Sequence, residues 1–156
     1  MLFRSHDPHK VALELRDINS GVVGYQVRNL LPTAKPKYIT RFYKNTTDVA
    51  WFLGNKETLV ITEDYLSSYR THQDTGYSCI ALLRTSLTDK TLMQISDLNF
   101  KQVYIWLDPD EAGIKGANKV SKTLRHFLPT KTKIFTVRSM KEPKECSPKE
   151  LKETFT

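Results

Sequence analysis

Val103-Tyr104-Ile105-Trp106-Leu107-Asp108-Pro109-Asp110-Glu111-Ala112-Gly113 carries the sharpest signal in this 156-residue chain. Five consecutive apolar residues end abruptly in three acids. An apolar run of strand length, without alternation, marks a strand buried on both faces. The acids fall where that strand leaves its sheet, and Pro109 restricts the backbone so that Asp108 and Asp110 turn into one cleft. Beyond them, Ile114, Ala117, Val120, Leu124 and Phe127 form a single apolar stripe over Glu111 to Leu128, which predicts a helix.

Working outward, the same alternation repeats. Thr58 to Thr62 is a short buried strand that ends in Glu63-Asp64. Asp64 to Thr75 reads as a helix stopped by Gly76. Ser78 to Leu83 is another buried strand, Thr88 to Leu98 a helix, and Lys133 to Val137 a fourth strand. Ser147-Pro148-Lys149-Glu150 is a capping box with proline at the first helical position, opening a last helix. Strands alternating with helices imply parallel pairing through right-handed crossovers. Upstream the pattern differs. Val11 to Arg16 and Val22 to Arg28 flank the turn Asn19-Ser20-Gly21 as a hairpin. Pro32 to Pro36 is a loop, Lys37 to Tyr43 a third strand, and Asp48 to Leu53 a short helix closed by Gly54. The expected fold is α/β: a parallel sheet flanked by helices, preceded by a small β-rich lobe. The boundaries are 1–56 and 57–156, joined by the short Gly54-Asn55-Lys56-Glu57 into one compact unit.

The formal net charge of +7 and pI near 9.4 favour a polyanionic partner. No apolar stretch approaches the roughly 18 residues that a spanning helix needs. The start, Met1 to Asp7, lacks the apolar core of a secretion signal. Cys79 and Cys146 have no paired spacing, so neither a disulfide framework nor a zinc site is expected. His6, His9, His72 and His126 show no ligand spacing. These features predict a cytoplasmic protein with no membrane association.

In open α/β sheets, ligands bind at the carboxyl ends of the strands. Two such ends carry acids here, Glu63 on one and Asp108 with Asp110 on the other. Helix capping and dipole complementation account for Asp110 and Glu111 alone. They do not account for Asp108 and Glu63 at two separate exits. Clustered carboxylates repel unless a cation sits among them, and hard oxygen donors suit Mg²⁺ or Mn²⁺.

Three pieces in order, Val60-Ile61-Thr62-Glu63, Cys79 to Ser86 and Ile105 to Gly113, resemble the Toprim domain. That metal-binding α/β unit is shared by DnaG-type primases, type IA and type II topoisomerases, and some nucleases. Asp-x-Asp-Glu-Ala-Gly followed by a basic helix is most similar to bacterial and bacteriophage primases. Lys141-Glu142-Pro143-Lys144-Glu145-Cys146 resembles the Lys-Asp-x-x-Glu-Cys segment of phage primase-helicases. Gly24-Tyr25-Gln26-Val27-Arg28 and Pro36-Lys37-Tyr38 resemble pieces of the primase catalytic core. The resemblance runs from about Gly21 to about Leu151.

The resemblance implies phosphoryl transfer on nucleic acid, most specifically primer synthesis on single-stranded DNA in phage-type replication. Asp108 and Asp110 would bind metal, and Glu63 would bind metal or act as general base. Arg28, Lys35, Lys37, Arg41 and Lys44 would border the template groove; a solvated edge strand is the alternative for these five. Tyr25, Tyr38 and Tyr43 suit either base stacking or packing on the sheet. Lys115, Lys119 and Lys122 share one helix face, which a solvated surface also explains. Lys141, near a strand exit, is the better phosphate contact. Four positions depart from the family pattern: Asp64, Ser67, Arg84 and Glu142. Asp64 adds a carboxylate next to Glu63, able to strengthen metal binding or to spoil its geometry, and Arg84 puts a cation where backbone normally approaches, able to meet a phosphate or to narrow the site. These 156 residues contain no Cys-rich zinc module and no Gly-x-x-x-x-Gly-Lys-[Ser/Thr] loop. The expected partners are therefore single-stranded template, nucleotides, and a separate helicase or zinc-binding replication protein. A Toprim nuclease and a catalytically inactive nucleic-acid-binding module remain as alternatives. A topoisomerase would need strand-passage machinery that does not fit this length.

Overall fold

The computed structural model describes the backbone of residues 2–4 and all of residues 6–43 and 49–156. The chain divides into two compact units, Met1–Asp48 and Val49–Thr156.

The first unit is a four-stranded antiparallel meander, β1 (Leu2–Arg4), β2 (Lys10–Arg16), β3 (Val22–Asn29) and β4 (Tyr38–Phe42), in that spatial order. The expected hairpin is present. Asp17 closes its turn, with Oδ1 accepting the N–H groups of Asn19 and Gly21 at 2.9 Å each. Gly24 lies where a Cβ would come within 2.1 Å of the Arg41 carbonyl, so β4 crosses β3 at a point only glycine allows. Strand β1, too short to show a pattern, was not anticipated.

The second unit holds a five-stranded sheet in the order β5-β7-β6-β8-β9. Its strands are β5 (Ala50–Phe52), β6 (Asn55–Thr62), β7 (Tyr77–Ala81), β8 (Gln102–Trp106) and β9 (Lys133–Thr136). Strands β6, β7, β8 and β9 pair in parallel, as the alternation of elements requires. Helices α1 (Tyr65–Thr75), α2 (Asp89–Leu98), α3 (Glu111–Phe127) and α4 (Pro148–Thr154) connect and close it. Their ends follow the local code. Asp64, Thr88, Asp110 and Ser147 are the N-caps, and Gly76 ends α1 in the left-handed conformation at φ 73°.

Two expectations are corrected. The short helix expected at Asp48 to Leu53 is instead strand β5, with Asp48 itself outside the described residues. Val49, Ala50 and Trp51 are all buried, and β5 pairs antiparallel with β7 through Ala50–Ala81, Trp51–Ile80 and Phe52–Cys79. A segment apolar on every side suits a sheet edge covered from both faces better than a one-sided helix. Gly54 serves close approach to the Gly76 carbonyl, 2.3 Å from its would-be Cβ, rather than a helix stop. The α3 stripe is also shorter than expected. Ala117, Val120 and Leu124 are buried, while Ile114 and Phe127 are exposed at the helix ends.

Behind the sheet, Val60, Cys79, Trp106, Cys146, Leu151 and Phe155 form one core cluster. Cys146, although flanked by polar residues in the sequence, is buried here because α4 folds back over β8. Both cysteines are unpaired, and burial pushes the Cys79 thiol far up.

Candidate metal centre

Thr62 of β6 pairs with Trp106 of β8, so the two exits stand side by side. Glu63 leaves one, and Asp108 leaves the other after Leu107. The Asp108 N–H donates to Glu63 Oε2 across a long 3.4 Å. The loop after β7 is tied to the same end, since the Leu83 N–H donates to the Glu63 carbonyl at 2.7 Å. Leu83 takes φ 59°, a left-handed conformation costly for a branched side chain. Exposed Arg84 follows it directly.

Helix α3 starts hard against this site. A Cβ on Gly113 would lie 2.0 Å from the Asp108 carbonyl, which explains the glycine of the Asp-x-Asp-Glu-Ala-Gly piece by packing alone. Asp110 is exposed and caps the helix, its Oδ1 accepting the Gly113 N–H at 2.7 Å. Asp64 likewise caps α1, with Oδ1 accepting from the Leu66 and Ser67 N–H groups at 3.0 and 3.2 Å. An acidic N-cap gains from the positive end of its helix as well as from these bonds.

A third chain segment completes the cluster. The Trp106 indole donates to the Lys141 carbonyl at 3.1 Å, and the Arg70 guanidinium to the Cys146 carbonyl at 3.1 Å. Held at both ends, residues 141–146 bring Glu142 to the strand exits. One carboxylate oxygen from each of Asp64, Asp108 and Glu142 lies within 4.8 Å of the others, and all three residues are half-buried. A Mg²⁺ ion with oxygen ligands at about 2.1 Å separates any two of them by at most about 4.2 Å. The three acids need only a small closure to share an ion, and an all-carboxylate donor set fits a hard divalent cation.

The electrostatics agree. Burial, then the charges of Glu63 and Glu142, push Asp108 up to about 7, against the opposing charge of Lys144. Burial also raises Glu63; the Asp108 N–H opposes this, and the carboxylates of Asp110, Asp64 and Glu142 add to it. These are acids held together at a cost that a bound cation would relieve.

Of the three acids singled out in the sequence, Asp108 is in the cluster and Glu63 is beside it. Asp110 faces solvent with one oxygen engaged in the helix cap. Sequence reasoning did not assign Asp64 or Glu142 to the group, although both stood out as departures from the family pattern. For Glu142 the missing information was the strap through Trp106 and Arg70. Lys141 points elsewhere than expected: its Nζ donates to Glu150 of α4 at 2.7 Å. That bond holds Glu150 down to about 2.

In the first unit, register decides where the basic residues face. Arg41 pairs opposite Tyr25, and Arg28 opposite Tyr38. Positions 25 and 28 differ by an odd number, so the two arginines lie on opposite faces of the sheet. Arg41 shares its face with exposed Tyr25 and Ile39. Lys37 is exposed just before β4, and Lys44 lies outside the described residues.

A parallel α/β sheet with convergent acids at its carboxyl edge is an architecture able to hold a divalent cation. Residues 57–137 match the Toprim domain model, and the chain belongs to that family, whose members bind divalent metals. The sequence finds no match among curated proteins. Among solved structures, the E. coli primase catalytic core aligns at TM-score 0.74 and 21% identity, covering 99% of this chain and 55% of that one. A DnaG primase catalytic domain bound to single-stranded DNA gives 0.74 and 22%, covering 94% and 50%. The primase fragment of the bacteriophage T7 primase-helicase gives 0.65 and 22%, covering 94% and 61%. The likeness is one of fold, and the chain spans about half the length of these structures. Among the described residues, no helix is long and apolar enough to cross a membrane.

Proposed function

We propose that the chain is the catalytic part of a DNA primase, joining nucleotides on a single-stranded DNA template with Mg²⁺ or Mn²⁺. The observation that carries this reading is the convergence of Asp64, Asp108 and Glu142, from three separate segments, within 4.8 Å. In this proposal residues 57–156 form the metal-binding domain and 1–56 a basic lobe that engages nucleic acid. The similarity in fold to a primase domain bound to single-stranded DNA supports the choice of template.

Asp108, with Asp64 and Glu142, would hold the metal, which neutralises charge on the transferring phosphoryl group. Glu63 and Asp110 complete the acidic edge. Raised by burial and by its neighbours, Glu63 is suited to take the proton of an attacking hydroxyl. Arg84, on the loop tied to Glu63, meets a phosphate beside it. Lys141 can do so after leaving Glu150. In the basic lobe, Arg41 with Tyr25 offers a cation and a stacking ring on one face, while Arg28 on β3 and Lys37 just before β4 contribute further positive charge. A separate helicase or zinc-binding replication protein supplies unwinding and template selection in phage-type replication.

The test is synthesis of short labelled oligomers on single-stranded DNA with Mg²⁺ or Mn²⁺, beside Asp108→Asn. Oligomers from the parent and none from the variant are expected. Template cleavage would point to a nuclease instead, and salt-sensitive binding with neither reaction to a binding module.

A further inference from the structure

The acidic cluster contains a cation that the chain itself supplies. Lys144 stands in a single 3₁₀ turn, Pro143–Glu145. The Glu142 N–H donates to Glu145 Oε2 at 2.8 Å, and the Glu145 N–H to the Glu142 carbonyl at 2.9 Å. The turn is thereby pinned, and only the lysine side chain is left to reorient. Its Nζ lies 3.3 Å from Asp64 Oδ2 and forms an ion pair with Glu142 Oε2. Two of the three acids gathered for a metal are therefore already bridged by an ammonium. The lysine is 29% exposed, against 52% for Lys141, whose ammonium is held away on Glu150. Burial lowers Lys144, but Glu142 and Asp64 outweigh it, and the group is raised overall.

We propose that Lys144 is a resident counter-ion, which holds the Asp64–Glu142 side of the cluster in the metal-free protein and must be displaced before a divalent cation can bind. An ammonium and a divalent ion about 4 Å apart repel strongly in a partly buried site. Both compete for the same carboxylate oxygens, so Lys144 weakens metal affinity. It also keeps the carboxylates from repelling one another apart before metal arrives. A lysine that merely braced the 3₁₀ turn would leave metal affinity unchanged.

This inference rests on the proposed metal site, and the test separates the two. Free Mn²⁺ is followed by electron paramagnetic resonance during titration of the whole chain and of Lys144→Met. Lys149→Met serves as control, since Lys149 is 84% exposed on α4. Lys144→Met should bind Mn²⁺ roughly tenfold tighter or more, with the control unchanged. In the parent protein, which needs no variant, the slowly exchanging ammonium resonance of Lys144 should disappear from the NMR spectrum on addition of Mg²⁺. Mn²⁺ binding to the parent that Lys144→Met leaves no tighter would overturn the counter-ion role alone. So would an ammonium resonance that survives saturating Mg²⁺. If neither protein binds Mn²⁺, the metal site falls and the role of Lys144 with it.

Discussion

The two sheets handle functional side chains in different ways. In the second unit β6 and β8 run parallel, so their exits lie at one edge and successive loops meet there. Residues as distant in sequence as Asp64, Asp108 and Glu142 then become neighbours. In the antiparallel first unit no such common edge exists. There the parity of each position decides which face a side chain joins, and Arg28 and Arg41 part company. Parallel pairing gathers charges at an end, whereas antiparallel pairing sorts them across a surface.

Matched lesions should break the two units separately. Gly113→Ala forces a Cβ to within 2.0 Å of the Asp108 carbonyl, and Gly24→Ala forces one to within 2.1 Å of the Arg41 carbonyl. Each should destabilise its unit by about 3 kcal/mol, read by thermal unfolding. Gly113→Ala should lose Mn²⁺ binding and Gly24→Ala should keep it; the reverse pattern would contradict the assignment of metal to the parallel sheet.

A smaller effect concerns pH. The folded Asp108 is raised to about 7 from the usual 3.8, so folding favours its protonated form. The associated stability is present below about pH 4 and is lost as pH rises through 7. Asp108→Asn removes that loss. Because the group is half exposed, the full shift is discounted for solvent screening, leaving a gain of about 1–2 kcal/mol at pH 8. Melting temperatures of parent and variant should therefore diverge between pH 5 and pH 8 without metal, and parallel curves would refute the raised carboxyl.

On the antiparallel sheet, Arg41→Ala should weaken single-stranded DNA binding several-fold and reduce its salt dependence by about one charge. Arg28→Ala, on the other face, should do less, as fluorescence anisotropy would show; equal losses would mean that both faces bind. The smallest effect is expected at Lys115, whose exposed ion pair with Glu111 spans one turn of α3. Lys115→Ala should shift the melting temperature by about a degree or less.

What the sequence determined by itself is local. Apolar runs, caps and stops depend on neighbours within a few residues, and so β6, β8, α1, α3 and the Ser147 capping box were legible. The acids at two strand exits were legible for the same reason, because a strand's end is visible in its own sequence. Only the tertiary structure decided the rest. Pairing with β7 turned Ala50 to Phe52 into strand, against the helix that Gly54 suggested. Bonds from Trp106 and Arg70, each far away in the chain, drew residues 141–146 to the acids. Those bonds brought in Glu142 and Lys144 and left Lys141 on Glu150. Side chains separated by dozens of residues meet only after the backbone between them has folded, and no local pattern encodes that meeting.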